Sequence, residues 1–168
     1  MLRLSESLGW INELMNVTEK KEILASLKSF AESLGFDGFG VTNPQLGLAE
    51  KRFVHWLDAG YDGEMNYIKR GEEKRKNPGL ILQGVRSILC FRTNYFTIEK
   101  DMSYVEQRDN ADISIYALNK DYHDNITSRL RQMEKKIQKE VEGCRTKIYV
   151  DTGPLLEKPL AQQAGLGW

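Results

Sequence analysis

The stretch Tyr149-Val150-Asp151-Thr152-Gly153-Pro154-Leu155-Leu156-Glu157-Lys158-Pro159-Leu160-Ala161 reads as the end of a short strand, a carboxylate, a Gly-Pro turn and then a helix. Strand ends hold their side chains rigidly at the edge of a sheet, a frequent place for chemistry. A carboxyl that loses solvent in such a place gains affinity for its proton and can donate it near neutral pH. The plainer account is that Asp151 and Thr152 cap the next helix or brace the turn. The residues alone leave both open.

Working outward, the spacing predicts alternating helices and strands. Apolar residues at Ile23, Leu24, Leu27, Phe30, Ala31 and Leu34 keep the period of a half-buried helix, with Thr18 as its cap and Gly35 as its stop. Residues 36–42 alternate and end at Asn43-Pro44, a strand and turn. A helix is expected over 46–59, and a turn leading to a helix over 63–68. A charged stretch follows at 69–76, broken by Asn77-Pro78-Gly79. Residues 85–95 hold the best central strand, around Val85, Ile88, Leu89, Cys90 and Phe91. A polar surface loop is expected at 97–112 and an extended piece at 114–118. Asp121 then caps a long helix carrying Ile126, Leu130, Met133, Ile137 and Val141 on one face. A strand over 146–150 and a helix over 155–163 complete the order. The fold class is α+β, a mixed β-sheet flanked by helices. Residues 1–17 are a leader or short helix, and 18–168 form the domain. Trp168 follows Gly165-Leu166-Gly167 with no partner after it, so the domain is expected to be incomplete at its C-terminal end.

Composition sets the outer limits. The 168 residues, 40% apolar and 29% charged, suffice for one domain with a core. Lys plus Arg number 24 and Asp plus Glu number 24, so net charge gives no argument for a nucleic-acid partner. Cys90 and Cys144 are too few for a disulfide framework, and no Cys/His cluster suggests a metal site. Cys90 reads as a small core residue, Cys144 as a turn residue near the surface. Free thiols suit a reducing cytoplasm. The N-terminus lacks the apolar run of a signal or membrane segment.

Two further segments invite a functional reading. Tyr116-Ala117-Leu118-Asn119-Lys120-Asp121-Tyr122-His123 gathers aromatic faces and hydrogen-bonding groups at a helix start, where a pocket or an anionic group is well served. The alternative is a cap at Asp121 with Tyr122 packed in the core. Gly60-Tyr61-Asp62-Gly63-Glu64-Met65-Asn66-Tyr67, followed by Lys69, Arg70, Lys74, Arg75 and Lys76, can stack bases and meet phosphates. Glu64, Glu72 and Glu73 dilute that charge, so a solvated helix face is the better account of it. His55 and His123 have no Cys or Ser neighbour suited to a nucleophilic pair. Walker-type and Gly-x-Gly-x-x-Gly loops are absent from the sequence.

In this order the segments resemble one family. Residues 57–67, Lys74-Arg75 through Pro78 with Leu80 to Ser87, Tyr116 to His123, and Val150 to Gly167 are similar to four linked motifs of the epoxyqueuosine reductases. The resemblance covers roughly residue 20 to the end. It implies a fold shared with the cobalamin-binding domain of that family and of reductive dehalogenases. It implies cobalamin as cofactor, and 4Fe-4S clusters in a later segment whose cysteine ligands this chain lacks. The implied partner is tRNA containing epoxyqueuosine, whose epoxide oxygen is removed at the wobble position. Asp151 matches the catalytic aspartate, a proton donor. Tyr116, Tyr122, His123 and Thr152 match the cofactor-binding region; no metal ligand is assigned. Glu157 and Lys158 match the last motif and have a structural part.

The match has departures. Asn119-Lys120 stands where Gly-Arg is expected, and Gly153 where Ala is expected. The chain alone is expected to lack reductase activity. The alternatives are a remnant that binds a corrinoid or RNA without chemistry, and one subunit of a split reductase whose partner carries the iron–sulfur clusters. The location implied is cytoplasmic, without membrane attachment.

Overall fold

The structure, a computed structural model, describes residues 16–96, 113–117 and 120–167. The expected leader, the loop at 97–112, Leu118, Asn119 and Trp168 lie outside these residues.

Helix α1, Val17–Ser33, starts one residue earlier than its expected cap. Asn16, not Thr18, closes the first turn: its Oδ1 accepts the amides of Thr18 and Glu19, both at 2.9 Å. Glu19 returns the bond to the Asn16 amide at 2.9 Å, a capping box. Thr18 is already helical, so its side chain has no capping role. Leu27 and Ala31 on the inner face are completely buried. Helix α5, Tyr122–Glu140, carries Leu130, Met133 and Ile137 on its buried face, and Asp121 caps it as the spacing predicts. These two faces meet around Phe36 to form the main core. Full burial of Leu27 alone contributes on the order of 1.5–3 kcal/mol.

Strands β1, Gly38–Thr42, and β2, Ile88–Arg92, form an antiparallel ribbon in which Phe39 faces Phe91 and Gly40 faces Cys90. Phe91 also meets Phe36 at 4.9 Å between ring centroids, which ties the ribbon to the helices. Among the described residues the sheet has only these two strands. The expected strand at 146–150 is not one: Ile148 and Val150 pack against the α1–α5 core, but their backbone joins no ladder. The same alternation arises from packing on a helix pair as from pairing in a sheet. β2 is shorter than expected and only partly buried along its length. The expected extended piece at 114–118 is instead a 3-10 turn over Ile115–Ala117, closed by the Ala117 amide on the Ser114 carbonyl.

Four shorter α-helices, α2, Leu48–Asp58; α3, Asn66–Arg70; α4, Glu72–Lys76; and α6, Glu157–Gln163, and a 3-10 turn over Pro78–Leu80 complete the described elements. Helix α6 packs on both strands through Leu160. Its end sits so close to β1 that a Cβ on Gly40 would overlap the Ala164 carbonyl oxygen, so only glycine fits there. This contact fixes α6, and with it the residues just before it. No described helix is long and apolar enough to cross a membrane.

Candidate active site

The site is built where the start of α5 meets the loop leading into α6. Asp121 Oδ1 accepts the backbone amide of His123 at 2.8 Å and lies 2.8 Å from the His123 ring Nδ1. Those two bonds, the backbone one first, hold the Asp121 carboxyl below its ordinary value of 3.8. They also set the imidazole, because an Nδ1–H directed at a carboxylate leaves Nε2 with the lone pair in the neutral ring. Nε2 is buried without a hydrogen-bond partner and lies 3.9 Å from Asp151 Oδ2.

Tyr122 comes to Asp151 from the same turn of helix. Its hydroxyl donates to Asp151 Oδ2 at 3.0 Å, and this bond is the main cause of a phenol pKa above the usual 10.0. The Tyr122 ring stacks on His123 at 4.1 Å between centroids and meets Tyr116 edge-on at 6.1 Å. Tyr95 extends the row against Tyr116 at 6.4 Å.

Asp151 itself differs from its expected setting. It stands in a tight turn rather than at a strand tip, and its side chain is 70% exposed rather than desolvated. Its φ is +58°, and it is the only described non-glycine residue with positive φ. The Thr152 amide reaches back over it to the Val150 carbonyl at 2.6 Å, which makes Asp151 the centre of a three-residue turn. Such a conformation costs on the order of 1–3 kcal/mol and persists only where its surroundings enforce it.

Two residues brace the turn, and neither was singled out as part of the site by the sequence. Glu157 Oε1 accepts the Asp151 amide at 3.0 Å. Arg75, from the charged stretch on α4, donates to the Gly153 carbonyl at 3.2 Å. Glu157 keeps solvent contact as a residue, yet its carboxyl is crowded by protein. Burial raises its pKa first, the Asp151 amide opposes that, and the Asp151 charge adds to it. Gly153 also has a local reason: a Cβ there would run into the Tyr149 ring, so the alanine expected from the resemblance does not fit this turn.

Beside these groups lies a cavity of about 780 Å³ between β2, the inner face of α5 and residues 143–151. Its depth is apolar, with Ile88, Phe91, Leu130 and Leu155. Tyr122, Asp151, Glu157 and Ser87 bring polar groups to its wall. The Ser87 hydroxyl is buried without a partner. Cys90 is also in the wall; burial, and then the Glu157 charge, push its thiol up to about 11. Of the residues predicted for the site, Asp151 and Tyr122 line the cavity. His123 stands behind them through its stack on Tyr122. Tyr116 is 52% exposed and Thr152 is exposed; neither belongs to the wall.

The other predicted segment lies elsewhere. Tyr61 and Tyr67 are exposed, while Asp62 is 1% exposed, with Lys69 Nζ 3.4 Å from one carboxylate oxygen. Lys76 is paired with Glu72 and Glu73, as a solvated helix face would have it. No cluster of three or more metal-binding side chains occurs among the described residues.

Comparison with known proteins gives one consistent set of similarities. A family model described as "Epoxyqueuosine reductase QueG, DUF1730" matches residues 75–152. The epoxyqueuosine reductase of Pseudomonas aeruginosa is 38% identical over 144 residues, 85% of this chain and 40% of that protein. The Gloeobacter violaceus enzyme is 38% identical, covering 86% of this chain and 44% of its own length. The Escherichia coli enzyme is 32% identical, over 88% of this chain and 39% of its own length. A crystal structure of an epoxyqueuosine reductase superposes with a TM-score of 0.71 at 27% identity, over 88% of this chain and 40% of that one. The Bacillus subtilis enzyme, with its catalytic loop swung out of the active site, gives 0.66 at 23% identity, over 88% and 39%, a likeness of fold alone. The chain thus spans about 40% of the length of the relatives it matches.

Proposed function

We propose that the chain is the corresponding part of an epoxyqueuosine reductase, the family it resembles over the region it shares with those enzymes, and that it forms the acid-bearing wall of such a reductase's active site. The substrate in this reading is epoxyqueuosine in tRNA, reduced to queuosine in the cytoplasm. The observation that carries it is the meeting of the Asp151 carboxylate and the Tyr122 hydroxyl, 3.0 Å apart, on the wall of the 780 Å³ cavity.

The cofactor implied by the family is cobalamin, and the residues present suit it. The cavity, at about 780 Å³, does not enclose a whole cobalamin, but its mainly apolar wall would pack against part of the ring. The unpartnered Ser87 hydroxyl would be free to hydrogen-bond one of the cofactor's amides, and Tyr122 would bring an aromatic ring to the same wall. When bound, reduced cobalt supplies the electrons, with 4Fe-4S clusters replenishing them. Cys90 and Cys144 are the chain's only cysteines, so cluster ligands would come from outside these 168 residues.

Removing the epoxide oxygen as water takes an electron pair and a pair of protons. An alkoxide leaves poorly unless protonated, and Asp151, in its protonated form, is placed to supply the first proton. The Tyr122 hydroxyl then hydrogen-bonds the carboxylate left behind, which stabilises the charge at that moment. The second proton needs a route back to Asp151. His123 provides one when its ring carries a proton on each nitrogen: Asp121 holds the Nδ1–H, and the Nε2–H is the proton passed to the Asp151 carboxylate, leaving the neutral ring. The 3.9 Å gap is too long for a direct hydrogen bond, and a small closure of the turn toward α5 would bring the two groups into reach.

Titration of the chain with hydroxocobalamin tests the cavity assignment. A saturable shift of the visible corrin bands is expected. A spectrum identical to that of free hydroxocobalamin at every protein concentration would overturn it.

A further inference from the structure

We propose that Glu157 is a positioning residue for Asp151: it accepts the Asp151 amide and so holds that residue in the backbone conformation that turns its carboxylate onto Tyr122. The inference rests on the reading of Asp151 as the proton donor, but its geometry does not.

The argument begins with strain. A non-glycine residue at φ +58° relaxes unless its neighbours prevent it. The Asp151 amide donates to Glu157 Oε1 at 3.0 Å. Rotation of Asp151 out of the left-handed region would swing that N–H away from its acceptor. At the other end of the turn, Arg75 holds the Gly153 carbonyl. The turn is therefore anchored to α6 at one point and to α4 at another.

The second observation is what Glu157 gives up. It is the first residue of α6, where a carboxylate ordinarily serves its own helix by facing the free amides of the first turn. The residue before it, Leu156, makes no side-chain cap. Glu157 instead reaches back six residues to a single amide outside the helix. Because α6 is locked to β1 through Gly40 and Ala164, the acceptor is presented from a fixed base. Positioning thus passes from the sheet to α6, to Glu157, to the Asp151 amide, and ends at the carboxylate facing Tyr122.

The readout is the Tyr122 phenol. Its pKa is raised chiefly by the bond to Asp151, so it reports whether that carboxylate is in place. Spectrophotometric titration of tyrosinate, with Y122F subtracted to isolate Tyr122, is made on the chain and on variants of Glu157. In Glu157→Ala the Tyr122 titration is expected to fall toward its ordinary value, and in Asp151→Asn the same fall is expected. In Glu157→Gln, whose amide oxygen still accepts, it is expected to stay with the unmodified chain. Where Glu157→Ala does not fold, Glu157→Asp withdraws the acceptor by one methylene and carries the same two outcomes. An unchanged Tyr122 titration in Ala or Asp overturns the proposal. Since neither cofactor nor tRNA is present, that failure is distinct from failure of the reductase reading, which the hydroxocobalamin titration decides.

Discussion

At the scale of single residues, two carboxyls near the site respond to pH in opposite senses. Asp121 lies below its ordinary 3.8 because His123 donates to its charged form. The stability it lends is present above pH 3.8 and is lost as pH falls through its lower folded value. Glu157 lies above its ordinary 4.5 because burial disfavours its charge. The folded state then holds the proton more tightly than the unfolded chain, so stability declines as pH rises from 4.5 through its folded value. Urea unfolding measured between pH 3 and pH 7 checks both. Asp121→Asn keeps the cap and flattens the acidic limb; Glu157→Gln flattens the decline above pH 4.5. The sequence singled out Asp151 from its place before Gly153-Pro154, and the structure puts it on the cavity wall beside Tyr122. Its exposure and positive φ were hidden, because a backbone conformation enforced by Glu157 and Arg75 depends on contacts far along the chain. A glutamate at a helix start without a capping residue before it was the one local hint.

At the scale of elements, the helices and both strands of the ribbon were legible, and the run at 146–150 was not. α1 and α5 carry strong 3.6-residue periodicity and polar residues at their starts, and both form as the spacing predicts. The cap shifted from Thr18 to Asn16 because Asn16 alone lets Glu19 complete a reciprocal pair. The run at 146–150 was misread because its alternation satisfies helix packing without a partner strand. Energetics follow the same division. Leu27→Ala, deep between α1 and α5, is expected to cost about 2–5 kcal/mol in unfolding free energy. Asn16→Ala, at the exposed start of α1, is expected to cost about 0.5–2 kcal/mol. Denaturant unfolding separates the two. Equal losses would mean that α1 is held by its cap rather than by the core.

At the scale of the whole molecule, a two-helix core and a two-strand ribbon enclose a cavity between them, and the charged and aromatic groups gather at one side of it. A ribbon of two strands is marginal alone and draws its stability from the helices on it. That dependence makes α6, locked against β1, the element through which the fold reaches Asp151. The resemblance to the family was readable because its motifs run in order along the chain, although the one at 57–67 lies away from the site. The cavity was not, since it belongs to no single segment. The central claim is that the Asp151 carboxyl faces a corrinoid held in that cavity. A crystal structure of the chain with cobalamin tests it most directly. The account predicts the ring against β2 and the inner face of α5, with the Asp151 carboxyl and Tyr122 hydroxyl directed at its face. A ring bound elsewhere, or an Asp151 side chain turned away from it into solvent, would contradict it.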